Sequence, residues 1–220
     1  MKHKKLYEEL QKSFSDIYKW FSSLSDISFS DLQKENTAHI IVDMINGFVK
    51  QGSLASKEVL SINNELANFA GICSQNNIMT IALADSHTNQ SPEFETFPVH
   101  CLEGTEESEV TDEIKSAADF ILVKKNSTNG FIEPEFQKII NNNNKNTFIV
   151  TGDCTDMCVM QFAMTLKCDF NRRNIKSRVI VPYELTATYD MLGHDAELSE
   201  IMALYIMNLN GIEIVRNIKF

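Results

Sequence analysis

The sequence predicts an α/β protein: a three-layer α-β-α sandwich on a mostly parallel sheet of about six strands, with a helical extension at the N-terminus. Two observations predict it. Short runs rich in Ile and Val recur along the chain, each of strand length and bounded by polar residues. Between them lie longer segments with helical spacing, and alternation of this kind implies right-handed crossovers and a sheet covered on both faces.

The strands are read in order as "HIIVDM", "MTIALAD", "FILVKK", "TFIVTGD" and "SRVIVP", with "IEIV" near the C-terminus as the sixth. A continuous apolar run of this length marks a strand buried on both faces. Helical spacing covers Lys57 to Ser74, Pro134 to Asn141, Asp156 to Phe170 and Asp195 to Asn208. The low-complexity "NNNNKN" at Asn141 to Asn146 reads as a polar turn. In the first 37 residues, Leu6, Leu10, Phe14, Ile17, Trp20, Phe21 and Leu24 form one apolar face of a helix. That face either packs on the flank of the sheet or serves as a dimer arm. The chain thus divides into an extension, 1–37, and a domain, 38–220.

Composition narrows the function. Twenty Lys and Arg against thirty Asp and Glu leave a formal charge of −10, spread along the chain. A nucleic-acid or anionic-membrane partner would select a basic face instead. No run approaches the roughly 20 apolar residues that span a bilayer. The opening "MKHKKLYEELQKSF" has lysines but no following apolar core of a signal peptide. Five cysteines are an odd count in a chain large enough to fold without staples, so we read them as reduced thiols in a cytoplasmic protein.

In open α/β sheets, ligands bind beyond the carboxyl ends of the strands. Asp43, Asp85, Lys125 and Asp153 all end apolar runs. In "VTGDCTDMCV", Cys154 and Cys158 follow the strand "TFIVTGD". Their C-x-x-x-C spacing fits neither a redox pair nor a zinc ribbon, which leaves packing or a nucleophile. Cys158 falls in the first turn of a helix, where free N–H groups favour a thiolate, and Cys154 falls in the preceding loop.

"VTGDCTDMCV" resembles the nucleophile segment of the isochorismatase-like cysteine hydrolases, the nicotinamidase branch in particular. The resemblance runs from about His39 to Val215. It implies Cys158 as nucleophile, Asp43 of "IIVDMINGF" as base, and Lys125 of "VKKNSTNGF" as electrostatic partner, with Lys124 the alternative register. It further implies an oxyanion hole from the backbone of Cys154 and Cys158, and a cis peptide bond between Cys154 and Thr155. The chemistry implied is amide hydrolysis through a Cys158 thioester.

"LADSHTNQSPEFETFPVHC" holds Asp85, His87, Glu93, Glu95 and His100 within sixteen residues. Imidazoles with carboxylates suit zinc, iron or manganese better than magnesium. Nicotinamidases bind one metal ion here, and the resemblance carries that role to Asp85, His87, Glu93 and His100, with Glu95 as the alternative third ligand. Zinc leads, with iron or manganese next. In the family the metal holds the substrate's pyridine nitrogen between aromatic walls, which match Phe48 and Phe97. Both are equally readable as ordinary core.

The expectation is therefore a metal-dependent nicotinamidase acting on a small-molecule amide and assembled as a homo-oligomer. A related amidase or carbamoyl hydrolase is the alternative, disfavoured by the ligand cluster. A true isochorismatase lacks the cysteine, and a catalytically silent binding module would leave the triad without a use. His39, opening the first strand at the end opposite the site, and His194, beside Gly193 before the last helix where a cap or surface role is the default, are both declined as catalytic groups. Asp153 and Asp156 are read as loop and helix-start residues, and Cys73, Cys101 and Cys168 as packing or incidental.

Overall fold

A computed structural model describes residues 2–220, with side chains from Tyr7 onward. In chain order the elements are α1 (Lys2–Ser22), β1 (Ile27–Ser28), β2 (Thr37–Val42), α2 (Asn46–Val49), α3 (Lys57–Gln75), β3 (Met79–Asp85), α4 (Asp112–Ala117) and β4 (Ile121–Lys125). They continue with α5 (Pro134–Asn141), β5 (Thr147–Asp153), α6 (Met160–Arg172), β6 (Arg178–Pro182), β7 (Thr186–Ala187), α7 (Ala196–Leu209), β8 (Glu213–Val215) and β9 (Ile218–Lys219). All six expected strands are present. The sheet runs β4-β3-β2-β5-β6-β8, every pairing parallel, and β7 adds a short seventh strand beside the end of β5.

Two apolar layers cover the sheet, and alternate residues of β2 feed them. Ile41 faces Leu66 and Phe69 of α3 and Ile114 of α4. Ile40 and Val42 belong to the layer of Phe136, Phe162, Leu166 and Leu204, which come from α5, α6 and α7. Each such side chain taken fully out of water contributes about 1.5–3 kcal/mol. The helices start where their sequences direct. Ser56 accepts from the Val59 N–H at 3.2 Å, Asp195 accepts from Leu198 at 2.8 Å, and Pro134 occupies the first turn of α5.

Three local expectations are revised. β4 is an edge strand, so Ile121 and Leu122 of its apolar run are exposed rather than buried on both faces. The helix expected from Asp156 opens with a wide π turn over Thr155–Val159 before α6. The apolar stripe of α1 packs only in its last turns. Trp20 meets Tyr205 edge-on at 5.2 Å and Phe21 meets Tyr183 at 4.7 Å, whereas Leu10 and Phe14 are exposed. The side chain of Leu6 lies outside the described residues.

The segment before β2 joins the body. β1 pairs with β9, Phe29 and Leu32 are core residues, and Asp26 holds Arg216 through two hydrogen bonds. Among the described residues, no helix is long and apolar enough to cross a membrane.

Candidate active site

The carboxyl ends of β2, β3, β4 and β5 lie side by side, and the turn after β5 closes over them. Asp43 follows β2 with φ 54°, a left-handed conformation that Asp tolerates better than most residues. This brings its Oδ1 to the Asp85 N–H at 3.0 Å and its Oδ2 to Lys125 Nζ at 2.8 Å. Lys125 is fully buried. Its ammonium also donates to Asp85 Oδ1 at 2.5 Å and the Ser127 carbonyl at 3.2 Å, and lies 3.8 Å from Cys158 Sγ. Lys124 points the other way, to an exposed pair with Glu103.

Two glycines make this approach feasible. A Cβ on Gly130 would sit 2.8 Å from Leu83 and 3.1 Å from Cδ of Lys125, so the "NGF" glycine clears the lysine stem. Gly152, at φ 109°, lies so near β2 that a Cβ would meet the Val42 carbonyl at 2.0 Å.

Burial and the charge of Asp85 raise the Asp43 carboxyl to about 7, against the pull of Lys125. Burial works against a charged Lys125, yet Asp43 and Asp85 outweigh it and hold the ammonium well above its ordinary value. Burial also lifts Cys158 well above a free thiol, only partly offset by Lys125. Cys158 is thus a thiol rather than the thiolate that its helix position suggested. A buried carboxyl near neutrality close to a thiol has the basicity to take a proton from it.

The cis peptide bond lies between Asp153 and Cys154, one bond before the expected position at Cys154–Thr155. The Cys154 carbonyl already accepts from Met157 and Val159. The peptide that follows it therefore belongs to the helical turn, and the reversal falls at the end of the strand. Cys154 is a free thiol on the cavity wall, as is Cys158; Cys73 and Cys101 are packed inside and Cys168 is exposed.

Beside this group, Asp85, His87 and His100 bring three ligand atoms within 4.8 Å of one another. The donor set fits a divalent metal. His87 Nδ1 lies 3.2 Å from Asn126 Oδ1 and His100 Nδ1 lies 2.7 Å from the Pro98 carbonyl. Each ring thus has its Nδ1–H engaged and its Nε2 free to coordinate. His87 Nε2 is buried without a hydrogen-bond partner. Glu93 Oε2 stands 3.8 Å from it, while Glu93 Oε1 accepts from the N–H and hydroxyl of Thr128. Glu95 is exposed and apart. The loop carrying these residues is tied at both ends, His87 N–H to the Cys101 carbonyl and Glu103 N–H to the His87 carbonyl, both at 2.9 Å.

Asp43, Asp85, Glu93, His100, Cys154 and Cys158 open on one cavity of about 490 Å³. Phe48 and Phe97 line it, 5.7 and 6.3 Å from the His100 ring. Sequence reasoning missed its far wall, Tyr189, Asp190 and Met191, because nothing marks a loop as a rim before the fold is known. It also undervalued two residues. Asp153 is not in a loop but is the buried last residue of β5, on the cavity wall. His194 does not cap α7; Asp195 does. His194 Nε2 instead meets Asp156 Oδ2 at 2.8 Å, its Nδ1 meets the Tyr189 carbonyl at 2.9 Å, and its ring stacks on Tyr189 at 4.1 Å. Thr188 donates to the other Asp156 oxygen at 2.6 Å. His39 meets Thr151 Oγ1 at 2.9 Å, and burial lowers it to about 3.

A parallel sheet edge that presents a thiol and a carboxyl to one cavity, with a buried ammonium behind them, is the arrangement of an α/β hydrolase, and the family match agrees. Residues 37–209 match the isochorismatase domain family, and the chain belongs to that family. It is 28% identical over 210 residues to nicotinamidase 1 of Arabidopsis thaliana, covering 82% of this chain and 86% of that one. Among solved structures, the fold is shared with a Pyrococcus horikoshii pyrazinamidase in complex with zinc (TM-score 0.69, 22% identity, 84% of this chain and 99% of that one). It is shared also with N-carbamoylsarcosine amidase of Thermoplasma acidophilum (TM-score 0.66, 24% identity, 82% and 96%).

His194 ties the rim to the turn that carries Cys158, which gives it a positioning role. His194→Ala is expected to raise KM about 10-fold with kcat changed less than about 3-fold. His194→Gln, whose amide can still reach Asp156, should recover most of that loss. Steady-state kinetics on both variants checks this, and an equal fall of kcat and kcat/KM in both would refute it.

Proposed function

We propose that the protein is a metal-dependent nicotinamidase, hydrolysing nicotinamide to nicotinate and ammonia. The observation that supports it most is the meeting of Asp43 and Cys158 on one cavity wall with the Lys125 ammonium held behind them, and with Asp85, His87 and His100 clustered alongside. In this reading Asp43 takes the thiol proton as Cys158 sulfur attacks the amide carbon. The oxyanion rests on the backbone N–H groups of Cys154 and Cys158. Asp43 then passes the proton to the departing nitrogen, ammonia leaves, and a thioester remains. Water, deprotonated by Asp43, attacks the thioester, and the proton returns to the sulfur as the acid departs. Lys125 keeps the carboxylates and the attacking sulfur charged at the moment each is needed.

Asp85, His87 and His100, with Glu93 completing the set, would hold the metal: zinc first, iron or manganese next. When bound, it supplies a Lewis-acidic contact that orients the substrate. Phe48 and Phe97 flank the substrate ring. We place the enzyme in the cytoplasm, in NAD salvage, as a homo-oligomer. The carbamoyl-hydrolase alternative has the same triad but leaves the ligand cluster without a purpose.

The test is ammonia release from nicotinamide by purified protein whose metal content is read on the same sample. Turnover should fall at least about 10²-fold on chelation and return on adding zinc. Turnover indifferent to chelation would remove the metal from the reaction. Bound metal with hydrolysis of ureido acids alone would move the enzyme to the alternative.

A further inference from the structure

The turn that carries Cys158 is held from outside itself. Thr155–Val159 is a wide π turn, and the residue before it, Cys154, gives it no side-chain cap. Turns of this kind inside helices are frequent at functional sites. Two side-chain anchors stand in for the cap. One joins Asp156 to Thr188 and His194 of the rim segment. The other joins Thr155, which is fully buried, to Glu200 of α7: the Thr155 hydroxyl donates to Glu200 Oε1 at 3.2 Å. Among the described residues that hydroxyl has no other partner. The same Oε1 lies 3.3 Å from Thr186 Oγ1, a hydroxyl that also has the Tyr183 carbonyl at 3.3 Å. Burial, with the charges of Asp156 and Glu197, raises the Glu200 carboxyl to about 7 against these two hydroxyls. Among the described residues no Lys, Arg or His pairs with it. A carboxyl drawn from water without a cation is a poor way to stabilise a helix contact, so what it holds becomes the question.

We infer that Glu200 is a positioning residue for the nucleophile: by holding Thr155 it fixes the turn that presents Cys158, and so governs the chemical step rather than the binding of substrate. This rests on the reading of the cavity as a cysteine amidase site. Thr155 stands between Cys154 and Cys158, whose N–H groups receive the oxyanion in that reading, and a displacement of about 1 Å at such a place can cost about 10²-fold in rate. The two anchors differ in where they end. That of Asp156 ends in the segment whose Tyr189, Asp190 and Met191 line the cavity, so its loss is felt in substrate binding. That of Thr155 ends on α7, and Glu200 is not among the lining residues. Its loss leaves the binding wall in place and releases only the turn. An acceptor is all that Thr155 asks of it, and the carboxyl supplies one whether ionised or not.

Steady-state ammonia release from nicotinamide by zinc-loaded protein tests this. Glu200→Leu should lower kcat at least about 10-fold with KM changed less than about 3-fold. Thr155→Val, nearly the same in shape, should do likewise. The double variant should be at most about 3-fold worse than either single one, because both remove one contact. Glu200→Gln keeps an acceptor for Thr155 and should hold kcat within about 3-fold of the parent, as should Thr186→Val. Near-ultraviolet circular dichroism checks that each variant is folded, and Thr155→Val decides the matter if Glu200→Leu is not. A parent that spares nicotinamide but hydrolyses benzamide or N-carbamoylglycine would sink the nicotinamidase reading, and the same pattern on that substrate would uphold the role of Glu200. The inference is overturned by losses that multiply in the double variant, by Glu200→Gln as impaired as Glu200→Leu, or by a rise in KM at constant kcat. A folded Glu200→Leu protein as active as the parent, or a parent inert toward all three compounds, overturns it equally.

Discussion

Cys158→Ala is expected to abolish turnover, by at least about 10⁴-fold, while leaving the protein folded. The sulfur lies 3.8 Å from Lys125 Nζ on the cavity wall. Removing it takes one buried atom from a wall that is partly open to solvent, so the cost in stability should stay near 1 kcal/mol. Ammonia release and urea unfolding on the same preparation separate the two effects. A folded variant that retained a tenth of the activity would remove the thioester from the reaction. A scaffold of the same fold, by contrast, would not feel the loss of this thiol at all.

Lys125→Met is expected to be as damaging to activity and far more so to stability. Methionine fills the channel cleared by Gly130 but leaves Asp43 and Asp85 buried with no cation. Breaking a buried pair in this way costs about 3–5 kcal/mol. The pH dependence has a definite sign. The Asp43 carboxyl is already raised to about 7 by burial and Asp85, and loss of the opposing ammonium raises it further above its unfolded value. A group raised in this way favours the folded state at low pH and loses that contribution as pH rises. The variant's deficit should therefore be smaller at pH 5 than at pH 8, read as urea midpoints against the parent. A deficit that did not change with pH would mean that packing, not charge, is what Lys125 supplies.

How much of this was readable beforehand differs by kind of residue. The six strands were legible because Ile and Val runs of strand length leave little else to propose, and Asp43, Lys125 and Cys158 because each stands in a motif at a strand end. β4 was misjudged because an edge and a centre strand have the same composition; only pairing tells them apart. The charge state of Cys158 could not be read from its helix position, since burial there exceeds what the turn offers. His194 and Asp156 are 38 residues apart, and Thr155 and Glu200 are 45 apart. Pairs that far along the chain have no local pattern, and the fold alone discloses them. Asp153 was hidden differently, because an acidic residue after a strand is ordinarily solvated, and this one is not.

The clasp between β1 and β9 bears on how the chain is made. Asp43, Asp85, Lys125 and Cys158 are all joined to the chain at least about sixty residues before Ile218 is, so these groups exist well before the structure that holds them. Ile27 waits for Ile218, Phe29 for Phe220 at 4.7 Å, and Asp26 for Arg216. At a synthesis rate of about 5–20 residues per second, the newborn chain carries that apolar and charged surface unpartnered for roughly ten seconds or more. A strand near position 218 is what shuts the segment near position 27.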